Sequence, residues 1–454
     1  MNESVIVIGS GTWGTSTALE LAKRGYTNVT CLDKRRTYNL RHLDIYRLTQ
    51  ILAFPSVDSA AYDLNKIIRT EYDEELYSEM AIEAIQAWLS PYRCFVKLIT
   101  DLSTGWLVTT SGDPEAARRL RQAYQNLVDR DQAKGVEFVE GKDDIVKHVP
   151  QLAKAKGIAD WKGFWNPQAG WAHARKALEK VGSEAMKLGV KFIGGPSGQM
   201  TGLSLSPSGS LLGIKVASGA IHSASHYILC TGAASPALLP SLLAPHLWSK
   251  CWTLGHIECS DDELAAFAGC PVVDNRELGF FFEPDPETRR IKLCNEFQGY
   301  QYRVGRTVDE RTGKPLAFSL PYYASEHPGE GIPNEALAGM RRLIDAVLPQ
   351  FSGREIVGAS ICWCTDTADR HFLIDRHPSF PQLLLATGDS GHAFKFLPTM
   401  GSYIVDALEG KPRGLRSEWS LREREWGHDD SRPGERVKDL REVGMGGGEA
   451  KSKL

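Results

Sequence analysis

The sequence has no excess of basic residues and no long apolar run, and both absences narrow the class of protein. Its 454 residues include 53 Lys and Arg against 56 Asp and Glu, a formal net charge of -3. Without a basic excess, neither nucleic acid nor an anionic membrane surface is expected as a partner. No apolar run approaches the roughly 20 residues that a membrane-spanning helix needs. The first apolar run begins at Val5, so a secretory signal is not expected either.

The nine cysteines lack a regular framework. An odd and scattered set in a long chain predicts reduced thiols in an intracellular protein. Cys362 and Cys364 lie on either side of Trp363, but no second Cys or His pair accompanies them at the spacing of a zinc site. The sequence therefore predicts no metal.

A glycine-rich turn near the N-terminus carries the first chemical signal. The run Val5–Ile8 is apolar and β-branched, which is typical of a strand buried on both faces. It leads into a complete G-x-G-x-x-G motif, a run of helix formers from Thr15 to Arg24, and a second strand that ends at Asp33. Together these elements predict a dinucleotide-binding βαβ unit.

Each part of this unit has a physical role. The first glycine permits a tight turn, the second lets the backbone approach a pyrophosphate, and the third lets the helix pack on the strand. The N-terminus of the helix offers N–H groups to the phosphates, and Asp33 is placed to bind ribose hydroxyls. The predicted nucleotide-binding residues are Gly9, Gly11, Thr12, Trp13, Gly14, Asp33 and Lys34.

Two later strands favour FAD over NAD. The segments His226–Ala233 and Gln382–Asp389 end in Thr-Gly-Ala and Thr-Gly-Asp, and the first follows antiparallel hairpins between Gly202 and Ile221. Flavoproteins of the glutathione-reductase-like architecture use such strands to complete the flavin site. The predicted fold is therefore α/β, with an FAD-binding Rossmann-like (glutathione-reductase-like) domain and an interleaved α+β substrate domain.

Several blocks of the sequence resemble the fungal fructosyl amino acid oxidases (amadoriases), within the sarcosine-oxidase-like FAD amine oxidases. The blocks are Gly9–Lys34, Gly170–Ala177, Gly279–Tyr300, Ile361–Pro378 and Gly388–Gly410. The resemblance implies an enzyme that acts on a secondary-amine amino acid. Hydride would pass to the flavin, water would hydrolyse the resulting imine, and O2 would reoxidise the flavin to give hydrogen peroxide.

The resemblance also assigns roles to individual residues. Cys362 matches the residue that holds the family's flavin covalently, and Lys292 matches its oxygen-activating lysine. Lys66 matches a basic residue beside the flavin ring and is expected to act in catalysis with Lys292. The loop below the ring supplies Asp389, Gly391, Phe394 and Lys395 as cofactor contacts. The expected substrate contacts are Asp63, Arg69, Glu296, Lys395 and, from the C-terminal tail, Arg432.

The substrate stays open at this point. Arg69 aligns with the carboxylate-binding arginine of sarcosine-type oxidases, which many amadoriases lack, and an Arg binds a carboxylate through two parallel hydrogen bonds. The stretch Arg35–Phe54 also departs from the family. A sarcosine-, pipecolate-, saccharopine- or N-methyl-amino-acid oxidase is therefore an alternative. A flavin dehydrogenase with a protein acceptor and a non-enzymatic FAD-binding protein are alternatives of other classes.

The segments of the two domains are expected to alternate along the chain. FAD-binding parts are predicted at 1–70, 170–240 and 358–454, and substrate-domain parts at 71–169 and 241–357. The segment from Glu71 to Ala169 is expected to be mostly helical. The last three residues, Ser452-Lys453-Leu454, form a peroxisomal address, so a peroxisomal location and an import receptor as partner are expected. A monomer is expected.

Overall fold

The computed structural model describes residues 3–35, 56–90, 104–426 and 436–446. Most of the Arg35–Phe54 insertion, Arg432 and the C-terminal tripeptide Ser452–Leu454 lie outside the described residues. Within the described ranges, no helix is long and apolar enough to cross a membrane. All cysteines in those ranges are free thiols.

A six-stranded sheet forms the first layer. Its order is β22 (Leu373–His377), β23 (Phe380–Thr387), β12 (His226–Leu229), β1 (Ser4–Ile8), β2 (Asn28–Asp33) and β8 (Lys191–Gly194). All neighbouring strands are parallel except the edge pair β22 and β23. The helices packed with this sheet are α1 (Thr12–Lys23), α5 (Ala174–Lys187) and α10 (Met400–Leu408). This arrangement confirms the predicted α/β fold class.

Side-chain alternation along β1 explains why the sheet is covered on both faces. Val5 and Val7 belong to the same apolar cluster as residues of α1, α5 and α10. Ile6 and Ile8 instead belong to a cluster with the antiparallel sheet of β9 (Met200–Leu205), β10 (Leu211–Val216) and β11 (Ile221–His222). The predicted strand buried on both faces and the predicted hairpins are therefore confirmed.

A larger sheet forms the second part of the molecule. Its order is β24 (Lys438–Asp439), β17 (Tyr300–Gln301), β13 (Trp248–Glu258), β16 (Arg290–Asn295), β15 (Gly279–Phe281), β14 (Val272–Asn275), β4 (Trp106–Thr110), β6 (Lys162–Asn166) and β5 (Glu137–Glu140). The strand β21 (Val357–Asp366) pairs with β13. An apolar cluster between this sheet and α9 (Asn334–Val347) forms a second core.

Short elements connect these layers. The paired strands are β3 (Lys66–Ile68) with β7 (Gly170–Ala172), β18 (Gly305–Val308) with β19 (Pro315–Phe318), and β20 (Ile332–Pro333) with β25 (Met445–Gly446). The remaining helices are α2 (Glu75–Leu89), α3 (Pro114–Val128), α4 (Gly141–His148), α6 (Ser235–Leu238), α7 (Pro240–Leu243) and α8 (Asp261–Phe267). Asp113 caps α3 by accepting a hydrogen bond from the Ala116 amide, as its position predicts.

One expectation about elements is wrong. The segment from Glu71 to Ala169 is not mostly helical, because besides α2, α3 and α4 it supplies β4, β5 and β6 to the large sheet. The last helix begins only at Met400, well after the loop that holds Asp389. Ser390 and Gly391 have φ of 48° and 69°, values that a right-handed helix excludes, and only a 3₁₀ turn, Phe394–Phe396, precedes α10. The predicted domain boundaries stay a prediction.

Candidate active site

One cavity of about 690 Å³ lies where the two large sheets meet. On one side it is lined by residues that follow the carboxyl ends of β1, β2, β12 and β23, among them Gly9, Lys34, Thr231 and Asp389. Open α/β sheets bind ligands outside the carboxyl ends of their strands, where the strand order reverses. Residues of β13, β16 and β21 line the cavity from the second sheet.

This cavity brings together nearly all of the residues singled out from the sequence. Its lining includes Gly9, Gly11, Thr12, Trp13, Asp33, Lys34, Asp63, Lys66, Arg69, Lys292, Glu296, Cys362, Asp389, Gly391, Phe394 and Lys395. Gly14 is absent from the lining because it packs beneath the turn, and Arg432 lies outside the described residues. The structure therefore brings these lining residues together, while their individual roles stay predictions.

The glycine-rich turn has the close packing that a dinucleotide site requires. A Cβ atom on Gly9 would lie 2.3 Å from the Cys230 carbonyl oxygen, and one on Gly14 would lie 1.8 Å from the Gly9 carbonyl oxygen. No side chain in the described part of the chain caps α1, whose N-cap residue is Gly11. The first N–H groups of this helix therefore remain for a phosphate.

Asp33 and Lys34 lie at the other end of the nucleotide half of the cavity. Asp33 Oδ2 accepts hydrogen bonds of 2.9 Å from both the amide and the hydroxyl of Ser10. Burial raises the pKa of Asp33 and these bonds oppose the rise. Lys34 lies 2.9 Å from Asp58 and 3.6 Å above the Tyr323 ring. The tight turn, the helix start and the buried acid fit a dinucleotide such as FAD.

A buried carboxylate, Asp63, holds together the cations at one end of the cavity. Its Oδ2 atom lies 2.5 Å from Lys292 Nζ and 2.9 Å from Lys66 Nζ. Lys292 also donates a hydrogen bond of 2.8 Å to the Asn65 carbonyl oxygen. Burial by itself raises the pKa of Asp63, but Lys292 and Lys66 outweigh it and hold that pKa well below its ordinary value. Asp63 is thus an ionised partner of both lysines, and a contact with substrate stays a prediction.

The position of Lys292 follows from its strand. Ile291 and Leu293 point into the core of the second sheet, so Lys292 between them points the opposite way, as their alternation predicts. Its side chain is only 2% exposed, which rules out an ordinary surface lysine. β16 ends at Asn295, and Glu296 lines the cavity just beyond it.

The two cysteines of β21 differ in their surroundings. Lys66 Nζ lies 3.8 Å from Cys362 Sγ, and Cys362 is only partly buried. Cys364 is 5% exposed, its thiol donates to the Lys250 carbonyl oxygen, and burial raises its pKa well above the ordinary value. Apolar burial disfavours the reactive thiolate of Cys364, whereas the Cys362 thiol is accessible from the cavity. Cys362 is therefore the better placed of the two for a covalent bond to a ligand in the cavity.

A second group of cations lies at the far end of the cavity. Arg69 lies over the rings of Tyr72 and Trp106, with its Cζ atom 4.4 and 5.0 Å from their centroids. Among the described residues, no hydrogen bond or ion pair occupies its guanidinium group. Lys395 donates to the Tyr72 hydroxyl at 2.7 Å and to the His392 carbonyl oxygen at 2.9 Å. Burial, and then Arg69, lower the pKa of Lys395. This end of the cavity is suited to an anion.

Sequence reasoning missed two residues of this group. Tyr72 bonds Lys395 and stacks under Arg69, and Arg276 lines the cavity just after β14, 5.6 Å from the Trp106 ring. No motif marks Arg276, although Tyr72 follows the singled-out Arg69 by three positions. His392 is a packing residue, because it bonds Tyr72 and stacks on Phe372. No group of metal-ligating side chains occurs among the described residues.

The fold and this cavity define a dinucleotide-dependent oxidoreductase with a cation-lined substrate end. A family model described as FAD dependent oxidoreductase (DAO) matches residues 4–407, and the chain belongs to this family. L-saccharopine oxidase of Schizosaccharomyces pombe is 30% identical over 444 residues, covering 95% of this chain and 94% of that protein. The chain is an FAD-dependent oxidoreductase that acts on the amines of amino acids.

Solved structures agree with this assignment. Fructosamine oxidase (Amadoriase II) of Aspergillus fumigatus, in complex with FSA, is 35% identical with a TM-score of 0.82, covering 97% of this chain and 96% of that one. Fructosyl peptide oxidase of E. terrenum is 32% identical with a TM-score of 0.84, covering 97% of both chains. The resemblance to the amadoriase group is confirmed.

Proposed function

We propose that this chain oxidises the C–N bond of a secondary-amine amino acid with O2 and releases hydrogen peroxide, with fructosyl amino acids or peptides as the first candidate substrates. The observation that carries the proposal is the division of one cavity into two cationic ends. Arg69 and Lys395 lie at one end, and the Lys66–Asp63–Lys292 cluster lies beside Cys362. The fructosyl oxidases among the similar structures support the choice of substrate.

Bound FAD would accept two electrons from the substrate and, once reduced, would pass them to O2. The residues of the chain bind and orient the substrate around it. Arg69 presents a planar fork of donors to a carboxylate, and Lys395 adds an ammonium group held in place by Tyr72. Two ammonium groups share one carboxylate at Asp63, which leaves a net positive charge in a buried place. Such a fixed charge stabilises negative charge that develops on oxygen.

A second candidate substrate class is favoured by Arg69. The guanidinium group of this residue has no hydrogen bond or ion pair within the described part of the chain and matches sarcosine-type oxidases, and the saccharopine oxidase relative covers nearly the whole chain. Sarcosine, N-methyl amino acids, pipecolate and saccharopine are therefore the alternatives. All of these substrates would use the same two cationic ends of the cavity, and they differ only in the group that fills the rest of it. A dehydrogenase with a protein acceptor is the alternative that dispenses with O2.

Two finer features belong to the same proposal. The flavin is attached to Cys362, because this thiol lines the cavity, is only partly buried and lies 3.8 Å from Lys66 Nζ. The protein is delivered to peroxisomes by its import receptor through Ser452-Lys453-Leu454. Peroxide production makes that destination useful to the cell.

A peroxide-release screen of the purified holoenzyme tests the function. Fructosyl-glycine, fructosyl-valine, sarcosine, N-methyl-L-alanine, pipecolate and saccharopine are compared in air, with the parent primary amino acids as controls. We expect peroxide from at least one secondary amine, most from the fructosyl compounds, and little from the primary amines. Flavin bleaching without air but no peroxide in air would instead indicate a dehydrogenase. No bleaching with any secondary amine would contradict the proposal.

A further inference from the structure

Arg276 is a cavity residue that the proposed reaction does not use. It follows β14 directly, and its backbone amide donates to the Thr109 carbonyl oxygen at 2.9 Å, which fixes its place beside β4. Its side chain turns to the cavity and lies 5.6 Å from the centroid of the Trp106 ring. Arg69 lies 5.0 Å from the centroid of the same ring. Two guanidinium groups therefore border one end of one cavity.

The donors of these two groups are largely unused. Within the described ranges, Arg69 has no hydrogen bond or ion pair, and Arg276 has only a long ion pair of 3.5 Å to Asp274. An arginine carries five N–H donors in a rigid fork, and the Arg276 side chain is 29% exposed, so its donors can reach a ligand in the cavity. One substrate carboxylate, with its two oxygens, is already matched by Arg69 and Lys395. The donors of Arg276 remain for another acceptor.

The charges around Arg276 also favour an anion. The charged groups at this end of the cavity are the basic Arg69, Lys395 and Arg276 and the acidic Asp274 and Glu71. Arg276 is close enough to Lys395 to help lower the pKa of that lysine. Basic groups that lie close together repel one another unless anions lie between them. Burial raises the pKa of Glu71, so this acid offsets the repulsion less than an exposed carboxylate would.

We propose that Arg276 forms a second anion subsite, so that within each class of secondary-amine substrate, fructosyl amino acids included, a compound with a second carboxylate binds more tightly than one without it. This inference rests on the proposed function, because it presumes that Arg69 and Lys395 bind the first carboxylate. It deepens that function by adding a charge preference within each substrate class. A second carboxylate would accept hydrogen bonds from Arg276, which a neutral side arm of the same length would leave to solvent.

Binding of unreactive acids to the holoenzyme tests the subsite separately from turnover. Succinate, glutarate and adipate are each compared with the half-amide of the same length, using the change in flavin absorbance to obtain Kd. We expect at least one diacid to bind roughly ten- to a hundredfold more tightly than its half-amide, the usual worth of a charged hydrogen bond. Arg276→Gln should abolish this preference while leaving the affinity for the half-amide largely intact.

Two further variants make the result specific. Arg276→Lys keeps the positive charge but loses the paired N–H donors of the guanidinium group, and it should retain part of the preference for diacids. Arg306→Gln removes an exposed arginine outside the cavity lining and should leave the preference unchanged. Equal binding of diacids and half-amides by the unmodified protein would overturn the inference. Equal weakening of both ligands by Arg276→Gln would overturn it too. A diacid preference in an enzyme that oxidises no secondary amine would instead refute the proposed reaction and leave the subsite standing.

Discussion

At the residue scale, the surroundings of Lys395 change its pKa. It is 7% exposed, and burial together with Arg69 lowers its pKa, whereas a carboxylate bound beside it would raise that pKa again. Binding of a carboxylate therefore takes up a proton. Over the pH range between the pKa of the free and the liganded lysine, Kd should rise with pH, by up to about tenfold per unit.

Titration of the holoenzyme with propionate across pH 6 to 10 measures this slope. In Lys395→Met no proton can be taken up, so the affinity should be weaker but independent of pH in this range. A slope that persists in Lys395→Met would assign the proton to another group. The slope would then carry no information about how the substrate is held.

Cys362 and Cys364 make a matched pair at the same scale, because they lie on one strand and differ in burial and in the nearby cation. We expect acid-precipitated protein to stay yellow in the unmodified chain and in Cys364→Ala. In Cys362→Ala the flavin should pass into the supernatant. Release from Cys364→Ala but not from Cys362→Ala would reverse the assignment.

At the scale of elements, the contact between β1 and α1 decides whether the nucleotide site forms. The methyl group of Gly14→Ala would lie 1.8 Å from the Gly9 carbonyl oxygen, so the helix must move away from the strand. We expect unfolding free energy to fall by roughly 3 kcal/mol, and FAD content to fall with it. Denaturant unfolding and the flavin-to-protein absorbance ratio measure the two effects.

Gly219→Ala is the control for this change. Gly219 has a φ of 86° in the turn after β10, and a Cβ atom there meets nothing within 4 Å. Gly219→Ala should lower the unfolding free energy only by the conformational strain of a left-handed residue, about 1–2 kcal/mol, and should leave the FAD content unchanged. Equal loss of FAD in both variants would mean that general instability, and not the β1–α1 contact, governs cofactor binding.

The elements of the nucleotide site were predictable because their signals are local. A β-branched run, a glycine motif and a terminal acid lie within one short stretch, and each has a fixed geometric role. The start of the last helix was not predictable, since it depends on the positive φ values of Ser390 and Gly391. The three strands between Glu71 and Ala169 were missed because their partners lie in the second sheet.

At the scale of the whole molecule, the cavity depends on contacts between distant parts of the chain. Lys292 bonds Asp63 across 229 positions, and Lys66 reaches Cys362 across 296 positions. No local pattern encodes such pairs, so the sequence singled out these residues only through a family resemblance. Arg276 matches no part of that resemblance, and only the fold shows that it lines the same cavity as Arg69.

The destination of the molecule is a prediction at this scale as well. A fluorescent protein fused to the N-terminus should collect in peroxisomes, because the receptor reads the last three residues at a free end. Addition of one residue after Leu454 should leave the fusion diffuse. Diffuse fluorescence of the unextended fusion would show that the address is not used.

The central claim is that the two cationic ends of the cavity serve different half-reactions. Lys292→Met keeps the apolar stem and removes the charge beside Asp63, and Lys395→Met does the same beside Tyr72. Stopped-flow absorbance follows reduction of the flavin by substrate without air, and then its reoxidation by O2, with FAD content checked in each variant. We expect Lys292→Met to slow reoxidation by about a hundred- to a thousandfold and to change reduction much less. Lys395→Met should slow the reduction of the flavin by substrate and leave its reoxidation by O2 largely unchanged. If Lys292→Met slows both half-reactions equally, the lysine is a substrate or structural residue and the division of the cavity is wrong.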